Sequence, residues 1–355
     1  MKKLLNISFA FLALVGICSS CTNDDIKIGK ATIVKVNPSS VISTFTFEEI
    51  PGELAGFDSD YRLRITVLAY NEDGDLEAQD VTYCKNYNEI GTIQLHLLPE
   101  NTYTVYAITD VMSDETQFWK IEGKESLSTT KIVDQEYMGG QYKILGIASQ
   151  KISVNEGAVN EITLNPQAAG ALCVVEFNSI HKYSNVENYT LETTKSSSYL
   201  QFTDNNSDGY NTTEESNNGE FSWRLSFVEP KEWESSTQNI YWYQFVFPMK
   251  NVGFRFTKTT SDNKYYLCSD PGYLTLVKGG EYKFVLDLKS NTYGYGIKLN
   301  GKNYAKAASG KQMPQAQAGN NKAMPREQMK AAEKMFEQIS PKSMAITDLA
   351  TPASK

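Results

Sequence analysis

The stretch Arg62-Leu63-Arg64-Ile65-Thr66-Val67-Leu68-Ala69-Tyr70, running into Asn71-Glu72-Asp73-Gly74-Asp75, sets the fold class. Its period is two. Leu63, Ile65, Val67 and Ala69 fall on one face, while Arg62, Arg64 and Thr66 fall on the other. Successive side chains of a β-strand point to opposite sides, so this is a strand with one face on a core and the other expected to be mostly wet. Asp73-Gly74 supplies the positive φ that a tight hairpin needs, so these residues read as turn chemistry and not as an acid–base pair.

On either side of it, similar apolar or β-branched runs recur at residues 31–36, 41–47, 92–98, 102–108, 142–147, 152–154, 161–164 and 170–177. They continue at 189–193, 221–227, 240–247, 253–258, 264–268, 273–277 and 282–288. Gly, Asn, Asp and Pro separate them, and nothing before residue 320 keeps a helical period. Many short strands with turn residues between them predict an all-β protein of sandwich type. The composition agrees: 355 residues allow two domains, 41% are hydrophobic, and the aromatic content of 12% suits pleated surfaces.

Two halves share a plan. A polar turn and then a Tyr that opens an alternating strand occur at Pro99–Val105 and again at 278–284. We therefore expect one sandwich over residues 31–166 and a second over 167–301, behind a tether at 21–30. Residues 302–355 differ, being rich in Ala, Lys, Gln and Met and punctuated by Pro314, Pro325, Pro341 and Pro352. They are expected to form a flexible tail, with a short helix at 325–339 whose apolar face holds Met329, Ala332, Met335 and Phe336. Charge divides in the same way. The body, 21–301, has 23 basic and 38 acidic residues, whereas 302–355 has nine Lys+Arg against four Asp+Glu. The formal net charge of -8 argues against nucleic acid as a partner, since that needs a basic face.

Residues 1–20 read as an address. Lys2 and Lys3 precede an apolar run from Leu4 to Ile17, too short for a comfortable membrane span. Ser19-Ser20 then precede Cys21, as in a bacterial lipobox, with Cys18 standing where Leu is usual. Cys21 is thus the expected lipidation site, carrying acyl chains such as palmitate, each buried CH2 of which adds roughly 0.8 kcal/mol of membrane binding. Thr22-Asn23-Asp24-Asp25 resembles the acidic export signal of surface lipoproteins, so an outer-membrane lipoprotein exposed at the cell surface is expected. Of the remaining cysteines, Cys173 sits in an apolar strand, and pairing of Cys84 with Cys268 is left open.

Three constellations bear on chemistry. Asp204, Asn206, Asp208 and Glu215, with Gly209 between, match the spacing of a calcium loop, in which oxygens at positions 1, 3 and 5 and a bidentate Glu at 12 wrap the ion. The flanks, strand before and Asn/Ser/Gly-rich chain after, favour a solvated turn; beyond Ca2+ no cofactor is expected. Tyr241, Trp242 and Tyr243 form the core of the most aromatic run and are a candidate ligand surface for stacking on sugar rings, with a strand covered on both faces as the plainer alternative. His96 and His181 are the only imidazoles, and neither lies near a nucleophile motif, so no enzyme activity is expected and no catalytic residue is named.

With these features in place, the chain resembles the FimB/Mfa2 group of fimbrial lipoproteins of Bacteroidetes. The resemblance rests on Arg64–Tyr70 leading to Asp73-Gly74-Asp75-Leu76, on Leu97–Ala107, and on Ile162–Pro166 running to Ala171–Phe177. It implies two tandem transthyretin-like β-sandwich domains. It also implies a lipid-anchored role in cell adhesion, as fimbrial anchor or accessory subunit, with fimbrial subunits as partners joined by β-strand addition. A glycan-binding outer-membrane lipoprotein is the alternative.

Overall fold

The computed structural model describes residues 31–43, 45, 61–114, 117–135, 143–157, 159–178, 186–193, 197, 199–212, 225–226, 240–252, 254–260, 264–268, 274–287, 292–299 and 302–310. From Val175 on, several strands are described by backbone placement alone. The described chain is all-β except for one short helix.

In chain order the elements are β1 (Thr32–Val36), α1 (Ser39–Ile42), β2 (Arg62–Tyr70), β3 (Leu76–Cys84), β4 (Gly91–Leu95), β5 (Thr102–Met112), β6 (Trp119–Glu122), β7 (Lys131–Asp134), β8 (Gly146–Ser153), β9 (Asn160–Leu164) and β10 (Gln167–Ala168). Then come β11 (Ala171–Asn178), β12 (Val186–Thr193), β13 (Tyr199–Phe202), β14 (Tyr210–Thr212), β15 (Leu225–Ser226), β16 (Ile240–Val246) and β17 (Met249–Val252). The last six are β18 (Phe254–Thr260), β19 (Lys264–Cys268), β20 (Leu274–Leu276), β21 (Gly280–Asp287), β22 (Thr292–Leu299) and β23 (Lys302–Gly310).

A five-stranded sheet, β10-β8-β5-β2-β3, is the centre of the first half. The face holding Leu63, Ile65 and Val67 packs on a three-stranded sheet, β4-β1-β9, whose Val34, Val36, Ile93 and Leu95 are buried. The approach is so close that a Cβ added to Gly91 would stand 2.3 Å from Ile65 Cδ1. In that sheet β1 lies in the middle, antiparallel to β4 and parallel to β9.

The other face of β2 is not wet. Thr66, Leu68 and Tyr70 are buried beneath a four-stranded sheet, β14-β13-β7-β6. Tyr106, paired with Leu68, stacks on Phe202 with ring centroids 4.5 Å apart and donates its hydroxyl to Thr203 O at 2.9 Å. The expectation of solvent fails because it rests on the charge of Arg64. Cross-strand pairing places Asp110 directly beside Arg64, and the two neutralise each other under the sheet. The layers are therefore three, with the central sheet covered on both sides.

That covering sheet also crosses the boundary expected at 166/167. β13 pairs antiparallel with β7, and β10 adds to the central sheet through β8, so residues from 167 on complete layers begun before them. A further five-stranded sheet, β16-β11-β21-β22-β23, and a four-stranded one, β15-β12-β18-β19, are built from the second half. Trp119 of β6 meets Phe245 edge-on at 6.2 Å and Phe247 at 4.9 Å, joining the two halves by aromatic contact.

The structure corrects two further expectations. A strand is expected over residues 41–47, but Ser39–Ile42 is helical. Pro38 fixes φ at -69°, and the Ser40 hydroxyl donates to Asn37 O and Pro166 O, so the chain turns here and buries Val41. The expected tail at 302–355 loses its first nine residues to β23, which pairs with β22. The question of Cys84 and Cys268, left open by the sequence, is answered by Cys84 being a free, buried thiol. The helix expected at 325–339 lies outside the described residues, as does the segment 1–30 with Cys21.

Candidate interaction surface

The Asp73-Gly74 hairpin forms as expected, with Gly74 at φ +84°. The return strand of this hairpin, β3, has no counterpart among the apolar runs of the sequence. It pairs with β2 on one side only, and it ends the central sheet. A register shift between Ala69 and Tyr70 inserts Glu77 as an extra residue, which breaks the period-two pattern and hides the strand. The signal that could have found it is the turn itself, since a two-stranded return is what a hairpin turn demands.

The free side of β3 is partly covered at its start. Leu76 N–H donates to Glu125 O, and Asp75 bridges to Ser126. Beyond that, no described strand pairs with the edge. Val81 N–H does not enter the ladder to β2; the Asp80 carboxylate accepts it at 2.8 Å. In an antiparallel strand the residues facing outward alternate, so Gln79, Val81 and Tyr83 direct their backbone groups to the open side. Val81 is 41% and Tyr83 46% exposed, both on the face shared with Arg64 and Thr66. The Arg62 guanidinium lies 4.5 Å from the centroid of the Tyr83 ring while pairing with Asp114.

Beneath this edge the sheet is pinned by buried charge. Arg64 Nε and Nη2 donate to the two Asp110 carboxylate oxygens at 2.9 and 2.7 Å, and Nη2 also reaches Trp119 O at 3.1 Å. Burial drives the Asp110 carboxyl above its ordinary range, opposed by the Arg64 hydrogen bond and charge. Near the aromatic junction, fully buried Lys143 places Nζ 2.5 Å from Asp134 Oδ1 and 5.2 Å from the Trp119 ring. The Trp119 indole N–H donates to Lys143 O.

The candidate calcium loop is the turn of the β13–β14 hairpin. Asn206 Oδ1 accepts Asp208 N–H and Gly209 N–H, and Asn206 Nδ2 donates to Tyr210 O and Asn211 Oδ1. Asp208 pairs with Lys278, whose ammonium stands 6.0 Å from the Tyr210 ring centroid. Asp204 is exposed, and Glu215 lies outside the described residues. As folded, the Asn206 amide is spent on the turn and Asp208 Oδ1 faces the Lys278 ammonium. Among the described residues no cluster of His, Cys, Asp and Glu has the arrangement of a metal site.

Tyr241, Trp242 and Tyr243 lie in β16, at the edge of its sheet and opposite Glu176, Val175 and Val174 of β11; their side chains lie outside the described residues. His96 is exposed, facing away from Leu95 and Leu97 as its alternation predicts, and His181 lies outside the described residues.

The repeated turn-then-Tyr plan has one geometry. Leu98 N–H donates to the Tyr103 hydroxyl at 3.1 Å, and Val277 N–H to the Tyr282 hydroxyl at 3.0 Å. Tyr103 donates onward to Leu98 O and Tyr282 to Thr275 O. In both, a buried ring opens a strand and its hydroxyl holds the turn five residues back.

No family model matches the sequence, and no curated protein does. Solved structures similar to the chain include a fimbrial assembly protein from Parabacteroides distasonis, at 8% identity and a TM-score of 0.41, covering 80% of this chain and 99% of that one. The fimbrial anchor protein Mfa2 from Porphyromonas gingivalis is similar at 13% identity and a TM-score of 0.38, covering 77% and 99%. A candidate polysaccharide-binding protein from Bacteroides thetaiotaomicron is similar at 12% identity and a TM-score of 0.44, covering 77% and 97%.

Proposed function

We propose that the protein is a lipid-anchored cell-surface component of a fimbrium, an anchor or accessory subunit that joins fimbrial subunits by β-strand addition. The observation that carries this is a lipobox-like Cys21 followed about ten residues later by an all-β body whose described sheets end in strands paired on one side only. A tether of that length spans at most about 35 Å when extended, so the body stays close to the outer membrane. An unpaired strand offers main-chain hydrogen bonds for affinity and alternating side chains for register. The role is binding and not catalysis.

The experiment has two arms. Metabolic labelling with an alkyne fatty acid should mark the wild type and leave Cys21→Ala unmarked; equal labelling of both would remove the anchor. Affinity purification from lightly cross-linked intact cells, read by mass spectrometry, should recover fimbrial subunits. Recovery of transporters and glycan-handling lipoproteins without fimbrial subunits would transfer the argument to sugar capture, with Tyr241, Trp242 and Tyr243 as the first residues to substitute.

A further inference from the structure

Two described strands of nine residues end sheets, β3 and β23. The register of β23 slips twice against β22, a feature that disrupts an edge as a template, whereas β3 slips only at its start. From Glu72 to Cys84 the chain carries Glu72, Asp73, Asp75, Glu77 and Asp80, all exposed, and no Lys or Arg. Of the bases nearby, Arg62 pairs with Asp114 and Lys124 Nζ donates to Gln79 Oε1, while exposed Lys85 follows the end of the strand.

We propose that the outer edge of β3, from Gln79 to Tyr83, accepts an extended segment of another polypeptide that bears Lys or Arg, adding it to the central sheet. The proposal rests on the strand-addition reading and names its edge and the chemistry of its occupant. The outward backbone groups of Gln79, Val81 and Tyr83 form the ladder. Exposed Val81 and Tyr83 receive alternate apolar side chains of the incoming strand. A Lys or Arg on its other face meets Asp80, freeing Val81 N–H from the carboxylate that now accepts it. The acids also set what is refused: two copies of β3 edge to edge would bring like charges together, which is unfavourable in a cross-strand pair.

The test places a photo-cross-linking residue at position 83 of the full-length, membrane-anchored protein, and in a second variant at position 120, on edge strand β6. After irradiation of cells, cross-linked peptides are identified by mass spectrometry. Position 83 should yield adducts with a Lys- or Arg-bearing segment of another polypeptide. Adduct yield should fall about tenfold with Asp80→Lys and with Val81→Pro. Val81→Pro removes an outward donor that the β2 ladder does not use, so its circular dichroism spectrum should match wild type. Adducts at 120 and none at 83, or adducts at 83 indifferent to both substitutions, overturn the β3 edge and leave strand addition standing. Adducts at 83 with residues 311–355 of the same chain, or with β3 of a second copy, overturn the occupant. Absence of adducts at both positions overturns the β3 edge. If affinity purification also recovers no fimbrial subunit, the parent reading falls with it.

Discussion

Arg64 and Asp110 show how two charges can sit inside a sandwich. Asp110 is about 1% exposed, and both carboxylate oxygens are bonded to the guanidinium. Removing one partner strands the other, which in buried pairs costs roughly 3–5 kcal/mol, whereas a surface pair contributes about 0–1. Asp110→Ala should therefore lower unfolding free energy by several kcal/mol in urea titration, while Lys35→Ala, breaking the exposed pair with Glu161, should change it by less than about 1. Tyr70 gives a pH prediction. Burial pushes its phenol up from 10.0 to about 12. The folded state prefers the neutral ring, so this contribution to stability is full below pH 10 and is lost as pH rises towards about 12. Denaturation midpoints should fall steeply across that window, and Tyr70→Phe should flatten the fall. An equal slope in the variant would refute the assignment.

Elements are legible in the sequence to different degrees, for physical reasons. β2 and β5 announce themselves by pattern, because a strand on a core keeps its apolar period. β3 does not, since a bulge shifts its phase and its edge position leaves it polar. The α1 turn is hidden because Val41, Ile42 and Phe45 are strand formers, and only Pro38 and the serine hydroxyls override them. The β13–β14 turn matches a calcium pattern because the same Asn and Asp residues that ligate ions also build turns. Its geometry predicts a structural role. Asn206→Ala should destabilise the protein by about 1–2 kcal/mol, the loss of a side chain serving four hydrogen bonds. Millimolar Ca2+ should leave the melting temperature of wild type unchanged; a rise abolished by Asp204→Ala would show that the loop rearranges around the ion.

Across the whole molecule, the layer over Tyr70 is assembled from distant parts of the chain. β6 and β7 supply one half of it, β13 and β14 the other, and Tyr106 bonds to Thr203 across 97 residues. A fragment ending at residue 166 should therefore expose Tyr70, Tyr106 and Ile132 and bind a hydrophobic dye, while one ending at 212 should bind less and give sharper amide resonances. Composition does not reveal this interleaving, because Asn165-Pro166 looks like a linker, yet the chain passes straight from it into β10.

That interleaving also sets an order in time. A polypeptide that emerges N-terminus first, from a ribosome or through a membrane pore, cannot seal the layer over Tyr70 until residue 212 has arrived. For most of its passage the leading half is an open-faced sheet, kept pliable by the absence of its own lid. The late hairpin acts as a latch, written downstream of the sheet that it closes.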